Sequence, residues 1–392
     1  MNAPFRAPPL TTPEVAAELD RFVALRRHFH QNPELSTKER QTAGRIAELL
    51  VEWGYEVETG IGGEGVVASL RNGAGQRAIG IRADFDALPI AEATGLPYAS
   101  RSPGVMHACG HDGHTTILLA AARALALRKS FDGTLRLIFQ PAEEISVGAR
   151  AMIRDGLFER FPVDGIFGLH NWPGVPEGVF GFADGPAMAA VDKAVITVAG
   201  KGGHGAAPHE TVDPVLAAAH LVTALQSLVS RNIDPLDAAV VTVGSIHGGT
   251  ASNVIPDSVE LQATIRSFTP EVRALLAERL PALAQAQAAA FGAKADVDYR
   301  LGMPAVVNHA AETRFAREAA LSTFGAAGVI EHLRPRSASE DFAYFLEQRP
   351  GAFLFIGAGE GPPLHSPRYD FNDALIAPAA TYWTRLAERF LA

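Results

Sequence analysis

The sequence predicts an α/β protein interrupted by a smaller α+β unit. Three observations carry this. Short apolar runs bounded by turn residues alternate with helical periodicities up to about residue 190. The order then becomes β-α-β-β-α-β, that of a ferredoxin-like unit, and from about Val306 helix and strand patterns resume. A chain of 392 residues has the length for two domains, and the pattern divides it into 1–190 with 306–392, and an insertion of 191–305.

In chain order, the segment Met1 to Leu10 is proline-rich, lacks the apolar region of a secretory signal, and reads as a flexible lead-in. From Thr12 to Asn32, Val15, Leu19, Phe22, Val23, Leu25 and Phe29 recur at helical spacing until Pro33 stops the pattern. A second helix runs from about Lys38 to Trp53, with Gly54 as its cap. Val66–Leu70 and Ala78–Ala83 read as short buried strands, the second followed by Asp84 and Asp86. The loop Met106–His114 packs Cys109, Asp112 and three histidines into nine residues before a helical run from Thr115. Thr134–Phe139 is a strand ending at Gln140-Pro141-Ala142-Glu143-Glu144, and Gly165–Leu169 another ending at His170. In open α/β sheets ligands collect beyond the carboxyl ends of strands, where Asp84, Asp86, Glu143, Glu144 and His170 all fall. The insertion reads as strand Lys193–Ala199, helix Thr211–Ser230, strands Ala238–Gly244 and Ser258–Ser267, helix Pro270–Phe291 and strand Ala295–Arg300. Strand Phe353–Gly357, a loop with His365 and helix Pro378–Phe390 close the chain.

Composition narrows the function classes. The net charge of -9 gives no electrostatic reason to expect nucleic acid. No run approaches the ~18 uninterrupted apolar residues of a membrane span, so no membrane partner is expected. The single cysteine excludes an intrachain disulfide, and the expected location is cytoplasmic.

A Cys-x-His pair in a glycine-interrupted loop can aim a thiolate and an imidazole at one point, which makes Cys109 and His111 candidate metal ligands. The same residues also suit a helix entrance capped by Asp112. A hydrolytic metal centre needs several N, O or S ligands, an open position and a nearby base. Cys109, His111, Glu144, His170 and His365 supply five ligands, enough for two ions sharing Cys109. In an extended segment neighbouring side chains diverge, so Glu144 would bind metal while Glu143 serves as general base to a metal-activated water. Taken one at a time, His170 also reads as a structural histidine, the Glu143-Glu144 pair as a solvated loop edge, and Asp84 and Asp86 as turn caps. A thiol hydrolase with Cys109 as nucleophile is a rival enzyme class, and a non-catalytic metal-binding protein a further one.

The motifs Arg82–Pro89, Met106–His114, Gln140–Glu144, Gly168–Asn171, Ser339–Phe342 and Leu364–Pro367 together closely resemble the hippurate hydrolase and N-acyl-amino-acid amidohydrolase branch of the aminoacylase/carboxypeptidase metallohydrolases. The resemblance implies a mixed-sheet α/β/α catalytic domain with an inserted ferredoxin-like lid domain that makes a homodimer or higher oligomer. It implies two divalent transition-metal ions (Mn, Zn, Ni or Co) and hydrolysis of an N-acyl amino acid, a small-molecule substrate, with an N-acetyl-diaminopimelate-type deacetylase or dipeptidase as alternatives. Carried over by position, Cys109, His111, Glu144, His170 and His365 match the metal ligands and Glu143 the catalytic base. Asp86 would orient a histidine ligand. His204 would stabilise the oxyanion, with Asn253 and Arg266 on the substrate carboxylate. In the wider family a histidine stands at the position of Asp84 and a bridging aspartate at that of Cys109, which leaves the role of Asp84 open.

Overall fold

The computed structural model describes residues 11–392, so the lead-in read from Met1 to Leu10 lies outside the described residues. The chain forms two compact units. One comprises the chain up to Ala187 with Val307–Arg334 and Asp341–Ala392, the other Met188–Val306 with Pro335–Glu340.

The first unit is built on an eight-stranded mixed sheet. Its strands lie in the order Glu56–Ile61, Gly65–Asn72, Gly133–Gln140, Ala78–Asp84, Gly165–Trp172, Gly351–Gly357, Phe180–Gly181 and Val329–Ile330. The four strands from Gly133–Gln140 to Gly351–Gly357 run parallel to one another. Ala78–Asp84, Gly165–Trp172 and Gly351–Gly357 are buried along nearly their whole length, as expected of parallel strands covered on both faces. The helix His111–Arg128 is apolar nearly all round and correspondingly buried, packing against Leu19–Gln31 and Ile376–Phe390.

Three local expectations are corrected. The first helical stretch is two helices, Pro13–Ala17 and Leu19–Gln31, broken at Glu18, whose carboxylate pairs with Arg21 and Arg123. The strand Glu56–Ile61 goes unseen in the sequence because it is a mostly exposed antiparallel edge with only Ile61 buried. His170 lies within the strand Gly165–Trp172 and not beyond it, because parallel pairing with Gly351–Gly357 carries on through Phe355 opposite His170 to Gly357 opposite Trp172.

The second unit has the strand and helix order of a ferredoxin-like unit. Its antiparallel sheet runs Ala239–His247, Ser258–Ser267, Ala190–Ala199, Lys294–Leu301. Alternate positions such as Ile196, Val198, Leu261 and Ile265 point into a core closed by Leu221, Leu225, Leu276 and Leu280 of the helices Pro214–Asn232 and Pro270–Ala289. Both helices start with Pro in the first turn behind a capping residue. Asp213 accepts from the backbone N–H groups of Val215 and Leu216, and Thr269 from that of Val272. Among the described residues no helix is long and apolar enough to cross a membrane.

Candidate metal centre

Gly110 sets the geometry of the cysteine loop. Its φ of +98° lies in the left-handed region, and a Cβ there would overlap Asn171 Oδ1 and crowd the Tyr369 hydroxyl. Glycine therefore lets the loop turn directly into the helix His111–Arg128, which leaves Cys109 and His111 two residues apart and both buried. His111 Nδ1 lies 3.0 Å from the Asp86 carbonyl and 3.1 Å from Asp86 Oδ1, so its Nε2 is the nitrogen left to face outward. His170 is fixed in the same way. Its Nδ1 is 2.7 Å from the Asn171 carbonyl, and its Nε2 is 3.4 Å from Cys109 Sγ.

His365 comes from the loop after the last sheet strand and holds a left-handed φ of +64°, uncommon for a residue with a side chain. Its backbone N–H donates to the Ala108 carbonyl at 2.7 Å, tying this loop to the cysteine loop. Glu144 bridges the two sides. Its Oε2 is 3.5 Å from His365 Nε2, its Oε1 is 3.9 Å from His111 Nε2, and its backbone N–H donates to Asp86 Oδ2 at 3.0 Å.

The potential ligand atoms fall into overlapping groups, each within 4.8 Å: Cys109, His111 and His170; Cys109, Glu144 and His365; and His111, Glu143 and Glu144. The first two share Cys109. His111 Nε2 and Glu144 Oε1 are buried without a hydrogen bond of ordinary geometry, a costly arrangement that coordination of a cation relieves. Mixed sulfur, imidazole and carboxylate donors suit a transition ion. Asp84, Asp86 and Glu144 lie within 4 Å of the His111 ring, a concentration of negative charge that divalent cations balance. Burial, with the charges of Asp86 and Asp84, pushes the Glu144 carboxyl up, and burial and the Glu144 charge push the Cys109 thiol well up. The residues present thus fit a metal pair.

The two adjacent glutamates depart from expectation. They do not sit in extended chain, and their carboxylates converge on His111 instead of diverging. The cause is a turn. Ala142 takes a left-handed φ of +53°, Ser146 donates its N–H to the Glu143 carbonyl at 2.7 Å, and Gly148 donates to the Ala142 carbonyl at 3.1 Å.

Asp84 acquires partners that spacing could not supply. Its Oδ2 accepts from Arg82 Nη1 at 2.7 Å, and its Oδ1 lies 2.6 Å from His114 Nδ1. His114 Nε2 lies 2.6 Å from Asn171 Oδ1, and Asn171 Nδ2 donates to the Tyr369 hydroxyl at 2.6 Å, so a buried polar chain backs the His111 and His170 rings. His107 joins none of the ligand groups, and burial pushes its pKa down to about 4. Sequence reasoning missed Ser36 and Glu39. Ser36 Oγ donates to Asp86 Oδ2 at 2.7 Å, and Glu39 Oε1 accepts the Ala142 N–H at 2.8 Å.

A model of peptidase family M20/M25/M40 matches residues 80–389. The chain belongs to this family. Among its M20 relatives, it is 44% identical to the hippurate hydrolase of Campylobacter jejuni over 379 residues, covering 97% of this chain and 99% of that one. It is 43% identical over 371 residues to the N-acetyl-L-cysteine deacetylase of Bacillus subtilis, covering 94% and 88%. A solved Bacillus subtilis structure, described as a dinuclear metal binding peptidase from the M20 family, superposes with a TM-score of 0.85 at 36% identity, covering 96% and 99%. The protein is a metal-dependent amidohydrolase of the M20 family.

In the second unit of this M20 chain, the short strand Gly203–His204 pairs with Val254–Ile255, bringing exposed His204 beside the Asn253 loop, where the Gly205 N–H donates to the Asn253 carbonyl at 2.8 Å. Arg266, half-buried on the strand Ser258–Ser267, donates to Ser339 Oγ at 3.0 Å, and burial lowers its pKa.

Proposed function

We propose that the protein hydrolyses the amide bond of N-acyl amino acids of the hippurate type, releasing a carboxylic acid and a free amino acid. The observation that carries this is the pair of three-donor groups meeting at Cys109, with two buried ligand atoms lacking a hydrogen bond of ordinary geometry. In this reading Cys109, His111, Glu144, His170 and His365 hold two divalent ions drawn from Mn, Zn, Ni or Co. Such ions, when bound, polarise the substrate carbonyl and lower the pKa of the attacking water.

The chain's own groups do the rest. The Glu143 carboxylate takes one proton from the water as its oxygen bonds to the acyl carbon. The C–N bond then breaks, and Glu143 returns that proton to the amine nitrogen, leaving acid and amino acid with every proton accounted for. Asp86 fixes the ring of His111 so that Nε2 serves as ligand. His204 donates to the developing oxyanion, and Asn253 and Arg266 hold the substrate carboxylate, a guanidinium being suited to bidentate pairing. The second unit, Met188–Val306 with Pro335–Glu340, is an inserted domain through which copies of this chain associate, and the working location is the cytoplasm.

A second reading, an N-acetyl amino acid as substrate, is favoured by the likeness to the N-acetyl-L-cysteine deacetylase. A panel of N-benzoyl, N-acetyl and dipeptide substrates, each assayed with Mn, Zn, Ni and Co, distinguishes them. N-benzoylglycine giving the highest kcat/KM supports the first reading. A preference for N-acetyl amino acids replaces it with the second, and no amide hydrolysis with any metal overturns both.

A further inference from the structure

Glu39 stands outside the ligand set and the base, yet it is fully buried at the start of the helix Arg40–Glu52. Its carboxylate Oε1 accepts the N–H of Ala142, the residue immediately before Glu143, at 2.8 Å. Ala142 holds a left-handed φ of +53°, a conformation that costs a residue with a Cβ about 1–2 kcal/mol and persists only where its surroundings impose it. Beyond Glu143, the Glu144 N–H is held by Asp86 Oδ2 at 3.0 Å. Two buried carboxylates thus grip the backbone on either side of the proposed base. They belong to one assembly, because Ser36, three residues before Glu39, donates to that same Asp86 oxygen at 2.7 Å. Thr37 is itself left-handed at +68°, and the Ala87 N–H donates to the Glu34 carbonyl at 2.9 Å, so residues 34–39 lie along the chain that follows Asp86. The far side of the turn has no slack: a Cβ at Gly148 would overlap the Pro141 carbonyl oxygen.

We infer that Glu39 is a positioning residue for the hydrolytic reaction. By accepting the Ala142 N–H it imposes the left-handed turn that aims Glu143, and it touches neither substrate nor metal. The inference rests on the proposed role of Glu143 as base.

The test compares Glu39→Gln with Glu39→Met in the metal-loaded enzyme. The two side chains match in length and differ in whether an oxygen is present to accept the N–H. Glu39→Gln is expected to keep kcat within about threefold, and Glu39→Met to lose tenfold or more in kcat, with KM and bound metal unchanged, since small misplacements of a reacting group are that costly. Adding Ala142→Gly to Glu39→Met should recover part of kcat, because glycine adopts positive φ without penalty. Equal kcat in the Gln and Met variants overturns the inference, as does a loss confined to KM or to metal content. If Glu39→Met fails to fold, the Ala142→Gly double variant and Glu39→Gln decide: loss of kcat in Glu39→Gln at normal metal content overturns the inference. Glu143→Gln is assayed alongside. If it remains active, the base assignment has failed; if it is inactive while Glu39→Met is normal, only the positioning role has.

Discussion

Cys109 is a lone buried thiol next to an imidazole, a combination that serves either a nucleophile or a metal ligand. Its surroundings favour the ligand. An activated nucleophilic cysteine has its pKa lowered by nearby positive charge, whereas burial and the Glu144 charge push the Cys109 thiol well up. A cation shared with His111, His170, Glu144 and His365, as proposed above, would supply the positive charge a thiolate needs there. On this reading Glu143→Gln leaves the ligands intact and removes the base. Turnover should fall by about 10²–10⁴-fold, the usual worth of a general base, while plasma emission spectrometry finds the parent's metal content. Glu39 adds a pH-dependent test. Burial first, then the Asp86 charge, raises its carboxyl from an ordinary 4.5 to about 7. The folded protein therefore binds a proton that the unfolded chain releases, so this contribution to stability is full below pH 4.5 and is lost as the pH rises to about 7. Glu39→Gln cannot ionise. Denaturant unfolding of both proteins should show the variant gaining relative to the parent between pH 4.5 and 8, by on the order of 3 kcal/mol. The candidate ligand residues were legible because Cys, His and paired Glu stand in recognisable spacings. Glu39 was not, since a glutamate at the start of a helix looks solvated until the fold buries it beside Ala142.

At the level of elements, the cysteine loop and the Ala142 turn are both backbone devices. Gly110 starts the buried helix from a left-handed conformation in a space that Asn171 and Tyr369 close. Gly110→Ala should shift Cys109 and His111 together, so that metal affinity drops at least tenfold and the thermal midpoint falls, as equilibrium dialysis and calorimetry would register. The central strands and the helix after Cys109 were readable because continuous apolar runs bury both faces. The edge strand Glu56–Ile61 was not readable, because one buried isoleucine gives no periodicity. The conformation around Glu143 was misjudged for a related reason. An extended reading is the default for a segment leaving a strand, and nothing in Pro141-Ala142-Glu143 announces that an alanine will take positive φ. That conformation comes from contacts with residues a hundred positions away in the chain.

Across the molecule, the order of elements was legible: a mixed α/β sheet, interrupted by a four-stranded antiparallel unit, then resumed. The register and the sheet order came from pairing between distant segments, which periodicity does not encode. The ligand candidates come from four separate stretches, at Cys109–His111, Glu144, His170 and His365, and only the folded chain brings them within reach of one another. That convergence makes metal the condition for activity in the intact protein. The most direct test is to strip the protein with a chelator and titrate it with Mn²⁺ or Zn²⁺ while following release of glycine from N-benzoylglycine. No turnover is expected at the start, followed by a rise that levels off at two ions per chain. Full activity in the stripped protein, or no glycine released at any metal occupancy, would contradict it.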